Sequence, residues 1–298
     1  MNISEKSKQV LALCGLVLAT LSWGVAFILV KWAMVEMTPE FYLFLRFAVG
    51  TFCLVILFWK KLKNIPMSTV WHAALLSIYL CGALFTQTAG LKFTTASNSA
   101  LITGLYLVFI PFIAHFALKQ VIPATSLAGA LFSFIGLFFL TQYNVNAMNI
   151  GDLLTLICAA FAALHIVTTD IYSKKDRLIP LVVLQLLFST FFTGAYAVFT
   201  RSIHWDLSAT TWGTVLLTGI VATALAFTLQ TFAQRVIDPT RAGVIFSLES
   251  VFGSYFGWLL GGETFTQLAL FGAILMVMGM IISELKPVIR YLIDKITG

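Results

Sequence analysis

The chain has 298 residues, 60% of them hydrophobic and 10% charged, with a net charge of +6. A soluble domain carries roughly a quarter charged residues, so a water-soluble globule is excluded. Continuous apolar runs of about twenty residues, in place of shorter alternating strands, exclude a β-barrel as well, and the dispersed basic clusters between runs point to membrane topology and not to nucleic acid.

Ten apolar spans are predicted, at 10–31, 39–59, 71–91, 96–118, 123–142, 151–173, 179–200, 209–234, 240–262 and 266–285. The expected fold is an all-α polytopic membrane protein. Lys6 and Lys8 before the first run imitate a signal peptide, but the run continues past Trp23 to Val30 and reads as a span. Trp23 is a cavity candidate. In the second span Arg46 is a deep charge with a long stem that can snorkel outward, so a structural anchor is expected there.

The third span offers Tyr79, Thr86 and Gln87, and the fourth places Thr103 and Tyr106 on one face with Ser99, while the Asn98 amide needs partners. In the sixth span His165 is a further cavity candidate, and Asp152 and Asp170 near its ends are expected to be interfacial. The eighth carries Thr223, Phe227, Gln230 and Gln234 at helical steps. Buried amides are costly unless paired, so these polar faces imply a wet central cavity. Gln234, near the end of its span, is expected to meet headgroups.

Glu249 lies midway along the ninth span, where an ionised carboxylate facing lipid costs about 2.5–3.5 kcal/mol, so it must face protein or water. Two readings stay open for it: a solute-amine or proton site, or a structural buried acid. Gly243, Ser247, Ser250, Ser254, Gly257 and Gly261 form a small-residue stripe suited to close helix packing, and Phe246 and Phe256 share the adjacent face with Glu249. After the tenth span, Val288, Leu292 and Ile296 give the 286–298 tail an apolar side suited to the inner leaflet. Cys14, Cys53, Cys81 and Cys158 lack any metal or disulfide spacing and read as packing residues.

If the N-terminus is cytoplasmic, fourteen of eighteen basic residues fall on the inner side, so both termini are expected in the cytoplasm of a multi-pass inner (plasma) membrane protein. At a shift of about 144 residues Ala89–Phe109 falls on Ala233–Gly253, and Gly129 and Gly136 fall on Gly272 and Gly279 at nearly the same shift. Five helices followed by five implies an inverted pair. Lys119 and Glu263, at equivalent helix ends, differ in sign as opposite sidedness requires.

The windows TTASNSALITGLYLVFIPF (Thr94 to Phe112) and DPTRAGVIFSLESVFGSYFGWLLGGETFTQLALFGAILMVMG (Asp238 to Gly279), with LSWGVAFILVK in the first span and LRF in the second, resemble the EamA-type transporters of the drug/metabolite transporter superfamily. That resemblance implies two inverted five-helix repeats around a central cavity and the movement of small metabolites such as amino acids. The family often has Pro after the acid of the ninth helix. Here Ser250 follows Glu249, so the resemblance carries no proline kink to this point.

The chain shows no phosphate-cradling loop, HExxH or GxSxG, so no cofactor, metal or enzymatic activity is expected. The expected organisation is a first repeat at 1–142, an external linker at 143–150, a second repeat at 151–285 and the tail. The expected function is a secondary carrier for a small polar or amphiphilic solute, with Glu249 as a proton-coupling candidate. Expected partners are that metabolite and membrane lipids, without nucleic acid; monomer and homodimer both stay open. A lipid-carrier flippase, a receptor and an intramembrane enzyme are the alternatives.

Overall fold

The computed structural model describes residues 5–119, 123–141, 149–264 and 266–297, and among these it is helical throughout its regular structure, with no strand. The helices are α1 (Glu5–Ala33), α2 (Pro39–Phe58), α3 (Met67–Gly90), α4 (Ala96–Gly104), α5 (Tyr106–Leu118), α6 (Ala124–Thr141) and α7 (Ile150–Lys175). They continue as α8 (Leu178–Phe199), α9 (Ala209–Gly219), α10 (Ala226–Ala233), α11 (Pro239–Phe246), α12 (Leu248–Gly261) and α13 (Gln267–Thr297). A six-residue π-turn, Ile220–Leu225, joins α9 to α10.

Eight of the expected spans are helices long and apolar enough to cross a membrane, which makes this a multi-pass membrane protein. At the expected fifth and tenth spans stand shorter apolar helices, Ala124–Phe139 and Gln267–Ser283. The linker residues 143–148 and the side chains at Val288, Leu292 and Ile296 lie outside what is described.

Polar residues between the apolar runs act as caps. Thr38, Thr95, Ser208 and Asp238 each accept a hydrogen bond from a backbone N–H in the first turn of the helix that follows. Such caps satisfy donors that lipid cannot. Asn149 and Asp152 complete a reciprocal capping box on α7. At the other ends, α5 closes on Lys119 at φ 50° and α12 on Gly262 at φ 67°.

The expected fourth and ninth spans are each interrupted by one tightened turn. Val108 N–H donates to Leu105 O at 2.9 Å, and Ser250 N–H to Ser247 O at 3.1 Å. Neither break needs proline, so the missing proline after Glu249 does not keep the ninth span continuous. α4 packs against α12 and α5 against α11, so the two interrupted helices cross in antiparallel fashion near their breaks.

Around this crossing, α1 packs on α10 and α12 while α7 packs on α3 and α5. The α2/α8 and α6/α13 pairs complete the bundle. In the latter pair, a Cβ at Gly129 would meet Gly279 O at 2.5 Å, and one at Gly136 would meet Gly272 O at 2.6 Å. The four glycines are therefore an antiparallel seam of direct backbone contact.

Candidate functional site

A central cavity of about 700 Å3 of empty space, its mouth included, lies where α1, α2, α3, α4, α5, α7, α10, α11 and α12 approach one another. Its aromatic wall is built by Trp23 of α1, whose ring centroid stands 5.4 Å from Phe227 and 5.3 Å from Phe246. His165 meets Phe227 edge-on at 5.8 Å. The Trp23 indole is fixed by donating from Nε1 to Ala222 O at 2.9 Å, inside the π-turn.

Glu249 lines this cavity from α12 and is 5% exposed. Tyr106 of α5 faces it closely enough for phenol and carboxyl to interact, although no hydrogen bond of ordinary length joins them. Glu249 Oε1, the Tyr106 hydroxyl and His165 Nε2 all lack a hydrogen-bond partner among the described residues. Leaving a buried polar group unpaired costs about 1–3 kcal/mol, more when it is charged. A solute or a proton that offered donors there would recover that cost.

Gln87 also faces the cavity and donates from Nε2 to Thr103 Oγ1 at 3.0 Å. Gln230 is 1% exposed and donates to Gln234 Oε1 at 3.0 Å. Thus nine expected residues share one cavity: Glu249, Trp23, Gln87, Thr103, Tyr106, His165, Phe227, Gln230 and Phe246. The other four do not line it. Thr86 bonds back to Gly82 O at 2.8 Å, as intrahelical hydroxyls do. Half-buried Phe256 packs edge-on to Tyr255, and Tyr79 and Asn98 are half-buried elsewhere on their helices.

Several expectations are corrected. Arg46 does not snorkel outward; it is 3% exposed and lines the cavity. Its Nε donates to Thr223 Oγ1 at 2.7 Å and its Nη2 to Ala222 O at 3.1 Å, so the π-turn acts as its anchor. The two bonds contribute about 1.5–3 kcal/mol each, against a desolvation penalty of several kcal/mol for the buried ion. Neutral acceptors therefore roughly offset the burial without neutralising the charge. Gln234 does not meet headgroups, because it is fully buried and donates to Ile166 O at 2.8 Å. Asp152 and Asp170 are buried too, the first accepting from Thr94 at 2.7 Å and the second pairing with Lys174 at 2.7 Å. Cys158 lines the cavity instead of only packing.

The small-residue stripe of α11 and α12 does pack. Ser250 Oγ donates to Ala100 O at 2.6 Å, and a Cβ at Gly243 would meet Ile110 at 2.5 Å. Glu263 has a local reason for its charge, since it accepts from the backbone N–H groups of Ala96 and Ser97 and from the Ser97 hydroxyl. The left-handed caps of α5 and α12 are Lys119 and Gly262, the latter one residue before Glu263.

The EamA-like transporter family model matches twice, over residues 10–142 and 149–285. An uncharacterized transporter of Archaeoglobus fulgidus is 33% identical over 95% of this chain and 89% of its own length. The uncharacterized transporter YoaV of Bacillus subtilis is 22% identical over 91% of this chain and 96% of its own. One solved crystal structure superposes with a TM-score of 0.77 over 95% of this chain and 98% of that one, at 17% identity, a likeness of fold.

Proposed function

The chain belongs to the EamA-like transporter family, and from that premise we propose that it is a secondary carrier of the inner membrane that moves a small polar or amphiphilic metabolite by alternating access. The proposed form has ten spans and two cytoplasmic termini. It consists of inverted repeats at 1–142 and 151–285, an external linker at 143–150 and a leaflet-bound tail at 286–298. The inverted reading is supported by features recurring 143 residues apart: the caps Thr95 and Asp238, the left-handed ends Lys119 and Gly262, and the seam glycines 129/272 and 136/279. In a two-fold arrangement, Gly129 facing Gly279 requires Gly136 to face Gly272, as observed.

The observation that carries the transport reading is Glu249, whose buried Oε1 has no direct hydrogen-bond partner, at the wall of an aromatic-sided cavity beside the helix crossing. We assign it the binding of a solute amine or of a proton, and it is proton binding that would couple solute movement to the proton gradient. The test is solute flux into proteoliposomes holding the purified chain, measured across pH for wild type and Glu249→Gln. The expected result is flux that varies with pH in the wild type. In the variant, flux falls by roughly tenfold or more, about 1.4 kcal/mol, and loses that variation, while the thermal unfolding temperature is kept. Equal pH profiles would remove Glu249 from the mechanism, and absence of flux for every metabolite tried would remove the carrier.

A further inference from the structure

The end of the molecule that carries the turn between α2 and α3 and the corner between α7 and α8 concentrates positive charge. No Asp or Glu stands between Glu40 and Asp152, so the turn brings Lys60, Lys61 and Lys63 with no acid of its own. The corner adds Lys175 and Arg177 with a single acid between them, Asp176. That acid is turned inward: its side chain is 5% exposed, accepts from Thr69 Oγ1 at 2.6 Å and meets His72 Nδ1 at 2.7 Å, both on α3. Among the described residues the ion pairs are His72–Asp176, Lys174–Asp170 and Arg241–Asp238, and none of these five cations belongs to one.

The cations come together because the corner grips the turn. Arg177 donates from Nη1 to Lys63 O at 3.0 Å and from Nη2 to Lys61 O at 2.7 Å. Its planar fork spans two carbonyls of one turn, and Asn64 at φ 52° follows in the left-handed conformation. The backbone beneath the lysines is thereby fixed, while Lys60, Lys61 and Lys63 themselves are exposed.

Aromatic side chains set the depth of this patch. Lys61 Nζ lies 5.2 Å from the Phe58 ring centroid and Lys60 Nζ 5.6 Å from that of Trp59, so these ammonium groups fold back over rings instead of extending into water. Trp59 is 58% exposed, Met67 68% and Trp71 70%. Exposed indoles on both sides of a turn between two apolar helices belong at the membrane–water boundary, which puts the neighbouring lysines at the level of the lipid phosphates. A soluble polyanion would answer the charges and leave Trp59, Met67 and Trp71 bare, and an uncharged lipid would do the reverse.

We propose that this patch is a binding site for an anionic phospholipid, with the phosphodiester held by Lys60, Lys61 and Lys63 and the acyl chains against Trp59, Met67 and Trp71. In the proposed topology it lies on the cytoplasmic face, where anionic lipid attracts basic segments. The site is separate from the central cavity and does not depend on what the cavity carries. Lysines suit the task, because a point charge on a flexible stem takes a phosphate without demanding one planar approach.

The test is native mass spectrometry and thermal unfolding of the purified full chain in neutral detergent, titrated with phosphatidylglycerol or with phosphatidylcholine of the same acyl chains. The wild type is expected to bind phosphatidylglycerol roughly tenfold to a hundredfold more tightly, and to unfold at a higher temperature in its presence. Replacing Lys60, Lys61 and Lys63 together by Gln should erase that preference and leave the unfolding temperature without lipid unchanged, whereas replacing all three by Arg should keep it. Where the triple Gln variant does not fold, each single replacement serves and should lose a share of the preference. Lys92→Gln with Arg201→Gln removes two exposed charges beyond the far ends of α3 and α8 and should leave the preference intact. Equal binding of the two lipids by the wild type would overturn the proposal. So would loss of the preference in the Lys92 and Arg201 variant, which would make net charge the cause. Equal stabilisation by glycerol phosphate or by heparin, which carry charge without acyl chains, would overturn it too and assign the patch to a soluble anion.

Discussion

Glu263 stands beyond the end of α12, yet both of its carboxylate oxygens accept from another helix, at Ala96 N and Ser97 N. Gly257 makes this approach available, since a Cβ there would meet Glu263 Oε2 at 2.7 Å. An acid at a helix N-terminus satisfies orphan donors and opposes the positive end of the dipole. Glu263→Ala should therefore lower stability by about 1–2 kcal/mol, read as the thermal unfolding of purified protein. An unchanged unfolding temperature would mean that water caps α4 equally well. The charge of Glu263 was legible in the sequence, but its target was not, because Ala96 and Glu263 are joined only by the fold. Arg46 shows the same gap. Its depth in the second span was visible, whereas the acceptors that hold it inward come from a π-turn that no residue pattern announced. Glu249 was legible because an acid midway along an apolar run has few tolerable surroundings.

The helices were legible as elements because apolar runs punctuated by capping residues leave the backbone little choice in lipid. Their breaks were not. Leu105 and Ser247 are ordinary helical residues, and the tightened turns arise where the two helices cross. The glycine seam between α6 and α13 gives this level a sharp test. Gly279→Leu would drive a side chain into Ser133 and Gly129 O and should destabilise the pair by about 1–3 kcal/mol or more. Gly213 lies in α9 with no atom within 4 Å of an added Cβ. There Gly→Ala should be neutral or stabilising by up to about 1 kcal/mol. If both substitutions have the same effect on thermal unfolding, close backbone contact is not what joins α6 to α13.

At the scale of the molecule, register decides what the two halves do to each other. A shift of about 144 residues sets Tyr106 against Ser250, whereas in the proposed repeats the caps Thr95 and Asp238 stand 143 apart, a register in which Tyr106 would answer to Glu249 and Thr103 to Phe246. One residue turns a helix face by about 100°, so the polar pattern was readable but its pairing was not. The same register makes Gln87 and Gln230 equivalents in unequal places. Gln87 is half-buried and donates to Thr103, while Gln230 is 1% exposed and, with Phe246 where an acceptor would stand, donates to Gln234. In the proposed topology the half-buried Gln87 lies toward the outside and the buried Gln230 toward the cytoplasm, the inequality an outward-open state of the proposed cycle would have. With Cys14, Cys53, Cys81 and Cys158 replaced, Gln87→Cys should react with an impermeant thiol reagent added outside, and Gln230→Cys should resist the same reagent added inside. A transported solute should raise the inside labelling of Gln230→Cys as the halves exchange roles. Equal labelling of both positions, indifferent to solute, would show that their asymmetry does not belong to a transport cycle.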